Sequence, residues 1–141
     1  MSERAVPVST DLGVFGFWRN TIIVERVEWE GRTITLTCDI HTSHLTGYTG
    51  TAEDIQATIT FTGVVSMFHA ELDTYEAIPA SAFTVGPDPQ SDLERIEGSR
   101  YRERLPIRPD WAPVEHFRLW SYDDVFDVLA TGVTVSEIAP E

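Results

Sequence analysis

A chain of 141 residues with a formal net charge of −13 has the size of one domain with its own core. Its acidity excludes phosphate backbones and anionic membranes as main partners. Hydrophobic residues make up 42% and aromatics 11% of the chain, which excludes disorder, and a single cysteine excludes an internal disulfide.

The N-terminal stretch Met1–Val8 lacks the basic start and apolar run of a secretory signal. Nowhere does an apolar run approach the roughly 18 residues that cross a bilayer. The expectation is a cytoplasmic protein, one β-rich domain over residues 1–141, with residues 1–10 a flexible N-terminal segment.

Gly16-Phe17-Trp18 opens the first aromatic stretch. These three residues resemble the Gly-x-Trp opening of the lipocalin-type barrels, a resemblance that implies an eight-stranded barrel around a small apolar ligand. Ile22–Trp29 and Arg32–Ile40 follow as strands, the second placing Ile34, Leu36, Cys38 and Ile40 on one face and threonines on the other. A two-residue turn at Glu30-Gly31 would set Val27 opposite Ile34 and Ile23 opposite Cys38. That register points Glu25 inward opposite Leu36, and a bulge near Glu25-Arg26 would relieve it.

Asp54–Gly63 alternates again, with Ile55, Ala57, Ile59 and Phe61 inward and Gly63 marking a bulge or turn. Phe68, Ala70 and Leu72 continue the pattern, which fades from Asp73 to Gln90 into a proline-marked loop. Ser91–Glu94 fits a capping box for a short helical turn ended by Gly98. Ser99–Leu105 reads as a strand, and Pro106, Pro109 and Pro113 punctuate a linker containing Trp111.

Phe117–Ser121 reads as a strand. For residues 122–131, Ser121-Tyr-Asp-Asp124 as a capping box and the spacing of Tyr122, Val125, Phe126 and Leu129 favour a helix. The rival is a strand with Phe126, Val128 and Ala130 on one face. Val133 and Val135 belong to a final strand. About six to eight short strands with one or two short helices indicate a mainly β fold, an antiparallel sandwich or small barrel.

Charge is unevenly spread. All ten basic residues are arginines, none falls between Arg32 and Arg95, and nine carboxylates do. Arg95, Arg100, Arg102, Arg104 and Arg108 then crowd together. On a strand, Arg100, Arg102 and Arg104 would stand about 6.7 Å apart in one row of forked donors. Such a row would grip carboxylates or phosphates bidentately, unless the protein's own acids occupy it. These three are the candidate binding residues.

Cys38, Asp39, His41 and His44 are the metal-ligand types that cluster in sequence. Alternation sends Cys38 and Asp39 to opposite faces, so the expectation is a core cysteine followed by a polar loop. Asp123, Asp124 and Asp127 fall where a helix start would use them. There is no nucleophile elbow of the Gly-x-Ser-x-Gly type, no phosphate loop and no dinucleotide fingerprint, so no catalytic residue, metal or cofactor is assigned.

The composition points to a small acidic, non-enzymatic binding protein engaging a basic protein partner, with a bacterial immunity or inhibitor protein against a cationic toxin as one version. A small-molecule-binding, lipocalin-like barrel is the first alternative, and a metal-dependent enzyme using Cys38, His41 and His44 the second. β-strand edges make a homodimer a further expectation.

Overall fold

The computed structural model describes residues 3–79, 86–105 and 113–139. The readings at Pro106, Arg108, Pro109 and Trp111 lie outside these. The fold is mainly β, and every strand pairing is antiparallel. In chain order come β1 (Arg4–Pro7), β2 (Val14–Phe15), β3 (Ile22–Glu30), β4 (Thr33–His41), β5 (Leu45–Thr46), β6 (Asp54–Thr62) and β7 (Ser66–Glu71). Helix α1 (Leu72–Ala77), β8 (Leu93–Glu97), helix α2 (Arg100–Arg104), β9 (Glu115–Trp120), β10 (Asp124–Ala130) and β11 (Gly132–Glu137) follow.

A five-stranded sheet of order β1-β8-β9-β10-β7 packs on a four-stranded sheet of order β11-β6-β4-β3, and β2-β5 forms a small ribbon. Between the sheets lies the main core, where Ile34, Leu36, Cys38, Ile40, Ile59 and Phe61 meet Leu93, Phe117, Leu119, Phe126 and Val128. Phe61 and Phe117 touch across the layers with ring centroids 6.0 Å apart. Among the described residues both sheets have free edges, so the strands make an open, sandwich-like pair and not the closed barrel that Gly16-Phe17-Trp18 implied.

Strands β4 and β6 follow their sequence pattern. Their apolar residues are buried and their threonines face solvent, because one face of an antiparallel sheet can stay wet. The β3–β4 turn falls one residue later than expected, at Gly31-Arg32, with Gly31 at φ 59°. Val27 therefore opposes Leu36, and Trp29 opposes Ile34. The expected bulge is present between Val24 and Arg26. It reverses the phase of the strand's start, so that Val24 opposes Cys38 while Ile23 faces outward opposite Asp39. It also sets Glu25 beside Asp39, and the hydrogen bond between their carboxyls raises the pKa of Glu25.

Five local readings are overturned. Residues 4–7, expected to be flexible, pair with β8 as β1. The stretch after β7, expected to be loop, begins with α1, capped by the Glu71 carboxylate accepting from the amides of Asp73 and Thr74. Ser91–Glu94 does form half its box, with Ser91 N donating to Glu94 Oε1 at 3.1 Å, but it leads into a strand and not a helical turn. Within Ser99–Leu105 the chain forms α2, because the Ser99 hydroxyl accepts from Arg102 N at 3.0 Å and caps it. Residues 124–130 are strand β10: Ser121 accepts from Asp124 N at 3.1 Å, but that bond closes a hairpin turn onto β9.

Candidate functional site

The arginine row does not exist. In a helix, successive residues turn about 100°, so Arg102 points away from Arg100 and Arg104. Arg100 donates from its amide and from Nε to the Glu3 carboxylate, at 3.0 and 2.9 Å. Arg102 Nε donates to the Val114 carbonyl at 2.5 Å, and Arg104 is likewise engaged. A charged row on a strand needs an edge or a wet face, and this segment instead anchors itself through buried Tyr101.

Cys38, His41 and His44 also go separate ways. Cys38 lies wholly in the core, its thiol directed at the Leu36 carbonyl. Burial pushes its pKa up to about 12. His41 pairs with Asp54 at the surface. His44 Nδ1 lies within hydrogen-bond distance of Thr21 Oγ1, at 2.9 Å, and its ring lies under Trp18. Among the described residues no three His, Cys, Asp or Glu side chains come together as metal ligands. The three acids of the supposed helix start are spread along β10 and its turn, with Asp124 on His69 Nε2 at 3.0 Å and Asp127 fully buried.

Sequence reasoning missed two groups. The first is a polar spine on the outer face of the five-stranded sheet. Register sets Glu94 of β8 opposite Arg118 of β9, and Arg118 opposite Asp127 of β10. Arg118 Nε donates to Glu94 Oε2 at 2.6 Å, Arg118 Nη2 to the Pro87 carbonyl at 2.7 Å, and Trp120 Nε1 to Glu94 Oε2 at 2.8 Å. Glu94 Oε1 accepts the amides of Gln90 and Ser91. Burial alone would lower the Arg118 pKa, but Glu94 and Asp127 outweigh it and raise it. Tyr75 is raised too, first by burial and then by Asp127.

On the same face His116 Nε2 meets Asp127 Oδ1 at 2.6 Å, and Nδ1 meets Ser99 Oγ at 2.7 Å. Both side chains of the His–Asp pair are inaccessible. Among the described residues Asp127 Oδ2 is buried with no hydrogen-bond partner. The outer face is covered by α1 and its neighbours, where Leu72 and Tyr75 pack on Trp120 and Val125, and by Tyr101 against Leu129. Sequence gave little signal here, because a strand buried on both faces loses its polar alternation.

The second group is an aromatic end. Trp18 and Tyr122 are 58% and 57% exposed, and with Arg19 and Asn20 they line a shallow hollow of about 280 Å³. The loop beneath is fixed. The buried Asp92 carboxylate accepts the amides of Trp18 and Arg19 at 3.1 and 3.0 Å, and Arg19 sits at φ 64°, a left-handed conformation uncommon outside glycine. Burial raises the Asp92 pKa against those two amide bonds. The indole stacks on His44 at 4.4 Å, and Tyr122 N donates to the Ile22 carbonyl.

Acids surround this end. Leu72 N donates to the Asp123 carbonyl, which brings exposed Glu71 and Asp73 beside Asp123. Exposed Glu76 pairs with Arg19 at 3.1 Å. Of the acid-rich span between Arg32 and Arg95, Glu71, Asp73 and Glu76 belong to this rim, whereas Glu94 is buried in the spine. No helix among the described residues is long and apolar enough to cross a membrane.

Comparison of the chain with protein-family models, with curated proteins and with solved structures finds no match.

Proposed function

We propose that the protein is a binding module that docks a basic protein partner on its Trp18–Tyr122 end, as an immunity or inhibitor-type protein would in the cytoplasm. The observation that carries this is the pinned aromatic pair. Of two large rings more than half exposed, Trp18 sits on backbone that the buried Asp92 carboxylate holds beside the strained Arg19, and Tyr122 is tied to β3 by its amide bond to the Ile22 carbonyl. Strain of this kind costs about 1–3 kcal/mol and persists where the surroundings over-determine it, often at binding sites. Tryptophan and tyrosine dominate interface hot spots, and rings fixed before contact lose little entropy on docking.

Glu71, Asp73, Glu76 and Asp123 supply the rim, and a net charge of −13 steers cations toward it and nucleic acid away. A second copy of the chain is the other candidate partner, because among the described residues β3 is a free edge exposing Val27 and Trp29 (unpaired edges template strand addition). Affinity capture from the source cells at low and high salt tests the main reading. The expected result is retention of a basic protein at low salt, its release at high salt, and at least about 30-fold weaker binding by Trp18→Ala. Retention that ignores salt, or that Trp18→Ala and Tyr122→Ala leave intact, overturns it.

A further inference from the structure

The opposite end of the five-stranded sheet carries a different arrangement. Strand β8 ends at Glu97, Gly98 turns at φ 66°, Ser99 follows, and α2 begins at Arg100. Ser99 thus stands on a strand-to-helix turn at the end of the sheet, almost fully buried. Its Oγ lies 2.7 Å from His116 Nδ1, and His116 Nε2 lies 2.6 Å from Asp127 Oδ1. With the ring proton on Nε2 and donated to Asp127, Nδ1 is left to accept the Ser99 hydroxyl proton. Nucleophile, base and orienting carboxylate within hydrogen-bond reach are the geometric signature of nucleophilic catalysis.

Three further observations bear on the site. Ser99 and His116, 4% and 1% exposed, form part of the wall of an open cleft of about 530 Å³, with Gly98, Arg102, Glu103 and Val114. The amide of Arg100, the residue after the serine, donates to a carboxylate oxygen of Glu3 at 3.0 Å, so an oxygen anion already occupies the place where an acyl oxygen would be stabilised. Among the described residues Asp127 Oδ2 is buried without a hydrogen-bond partner, whereas a network serving stability alone would be expected to satisfy it.

We propose that Ser99, His116 and Asp127 form a hydrolytic relay for small uncharged carboxylic esters, capped by the Glu3 carboxylate. Ser99 Oγ bonds to the ester carbonyl carbon as its proton passes to His116 Nδ1. The C–O bond to the alcohol breaks, and the alcohol leaves with that proton. Water then attacks the acyl-serine, gives a proton to His116, and releases the acid as Ser99 recovers its hydrogen. Glu97, Glu103 and Glu115 outnumber Arg95 and Arg102 around the cleft, which disfavours anionic substrates. The nitrogens are used in the opposite sense to the familiar serine triad, in which the carboxylate holds Nδ1; the proton path is unaffected.

The test uses a fluorophosphonate probe and 4-nitrophenyl acetate, with the wild type, Glu3→Ala, Ser99→Ala, His116→Gln and Asp127→Asn, folding being checked by circular dichroism. The expected result is a single phosphonate adduct mapped to Ser99, formed faster in Glu3→Ala and absent from Ser99→Ala. His116→Gln is expected to slow labelling and ester hydrolysis at least about 100-fold. Should His116→Gln fail to fold, the isosteric Asp127→Asn serves, with the same direction expected. No adduct on Ser99 in either wild type or Glu3→Ala, or labelling at Ser99 that both relay variants leave unchanged, overturns the proposal. Neither readout involves the Trp18–Tyr122 end, so the two proposals fail separately.

Discussion

The two faces of strands β9 and β10 are equally dry and chemically opposite. On the inner face Phe117, Leu119, Phe126, Val128 and Ala130 pack against the other sheet. On the outer face His116, Arg118 and Asp127 are buried among Trp120, Val125 and Leu129. The inner face is held by transfer of apolar surface, which is non-directional and tolerates changes of shape. The outer face is held by charges that must be matched in place, since an unpaired buried charge costs far more than a small void.

Breaking one partner on the outer face should therefore give the largest effect. Glu94→Ala strips the acceptor from Arg118 Nε, Trp120 Nε1 and two backbone amides at once. A loss of about 3–5 kcal/mol is expected from urea unfolding. A loss below about 1 kcal/mol would mean that water reaches the guanidinium and that the outer face is not dry in solution.

Conservative exchanges on neighbouring residues of β9 sharpen the contrast. Arg118→Lys keeps the charge but forfeits the fork that reaches Glu94 and the Pro87 carbonyl together, and should cost about 1.5–3 kcal/mol. Leu119→Met, one residue on and facing inward, should cost less than about 1.5 kcal/mol. If lysine proves the milder change, the fork is not what holds β8, β9 and the segment at Pro87 in register.

The faces of β4 and β6 were legible in the sequence, and little of β10 or of the outer face was. Ile34 to Ile40 and Ile55 to Phe61 alternate with threonines because their strands have one wet side, and the pattern reports it directly. The bulge at Glu25 was legible for the same reason: an acid fell on an apolar face. Asp124–Ala130 offered no such alternation, since both sides are covered. Ser121 then made the local bonds of a cap without a helix to follow. The Ser99–Leu105 segment erred the other way, its alternating arginines imitating a strand while Ser99 capped a helix. The spine itself depends on which strands lie side by side. Glu94, Arg118 and Asp127 are scattered in sequence and are joined by register alone.

Cys38 offers the gentlest probe, because it places a titratable group on an apolar inner face with no countercharge. Its thiol is fully buried in the core, and burial, aided by Asp39 and Glu25, raises the pKa from 9.0 to about 12. The folded state thus holds the proton over a range where the unfolded chain releases it. Below about pH 9 the native state keeps the full contribution, and between about pH 9 and pH 12 stability falls as pH rises. At pH 10, one unit above the unfolded value, the loss is about 1.4 kcal/mol. The measurement is the difference in unfolding free energy between wild type and Cys38→Ala across that range, which cancels the tyrosines titrating alongside. The variant starts less stable by its cavity, and the gap should narrow as pH rises. A gap that stays constant would show the thiolate finding a partner or water inside the sandwich. The two inner faces would then be less dry than the spine outside them, in which every charged group has a neighbour of opposite sign.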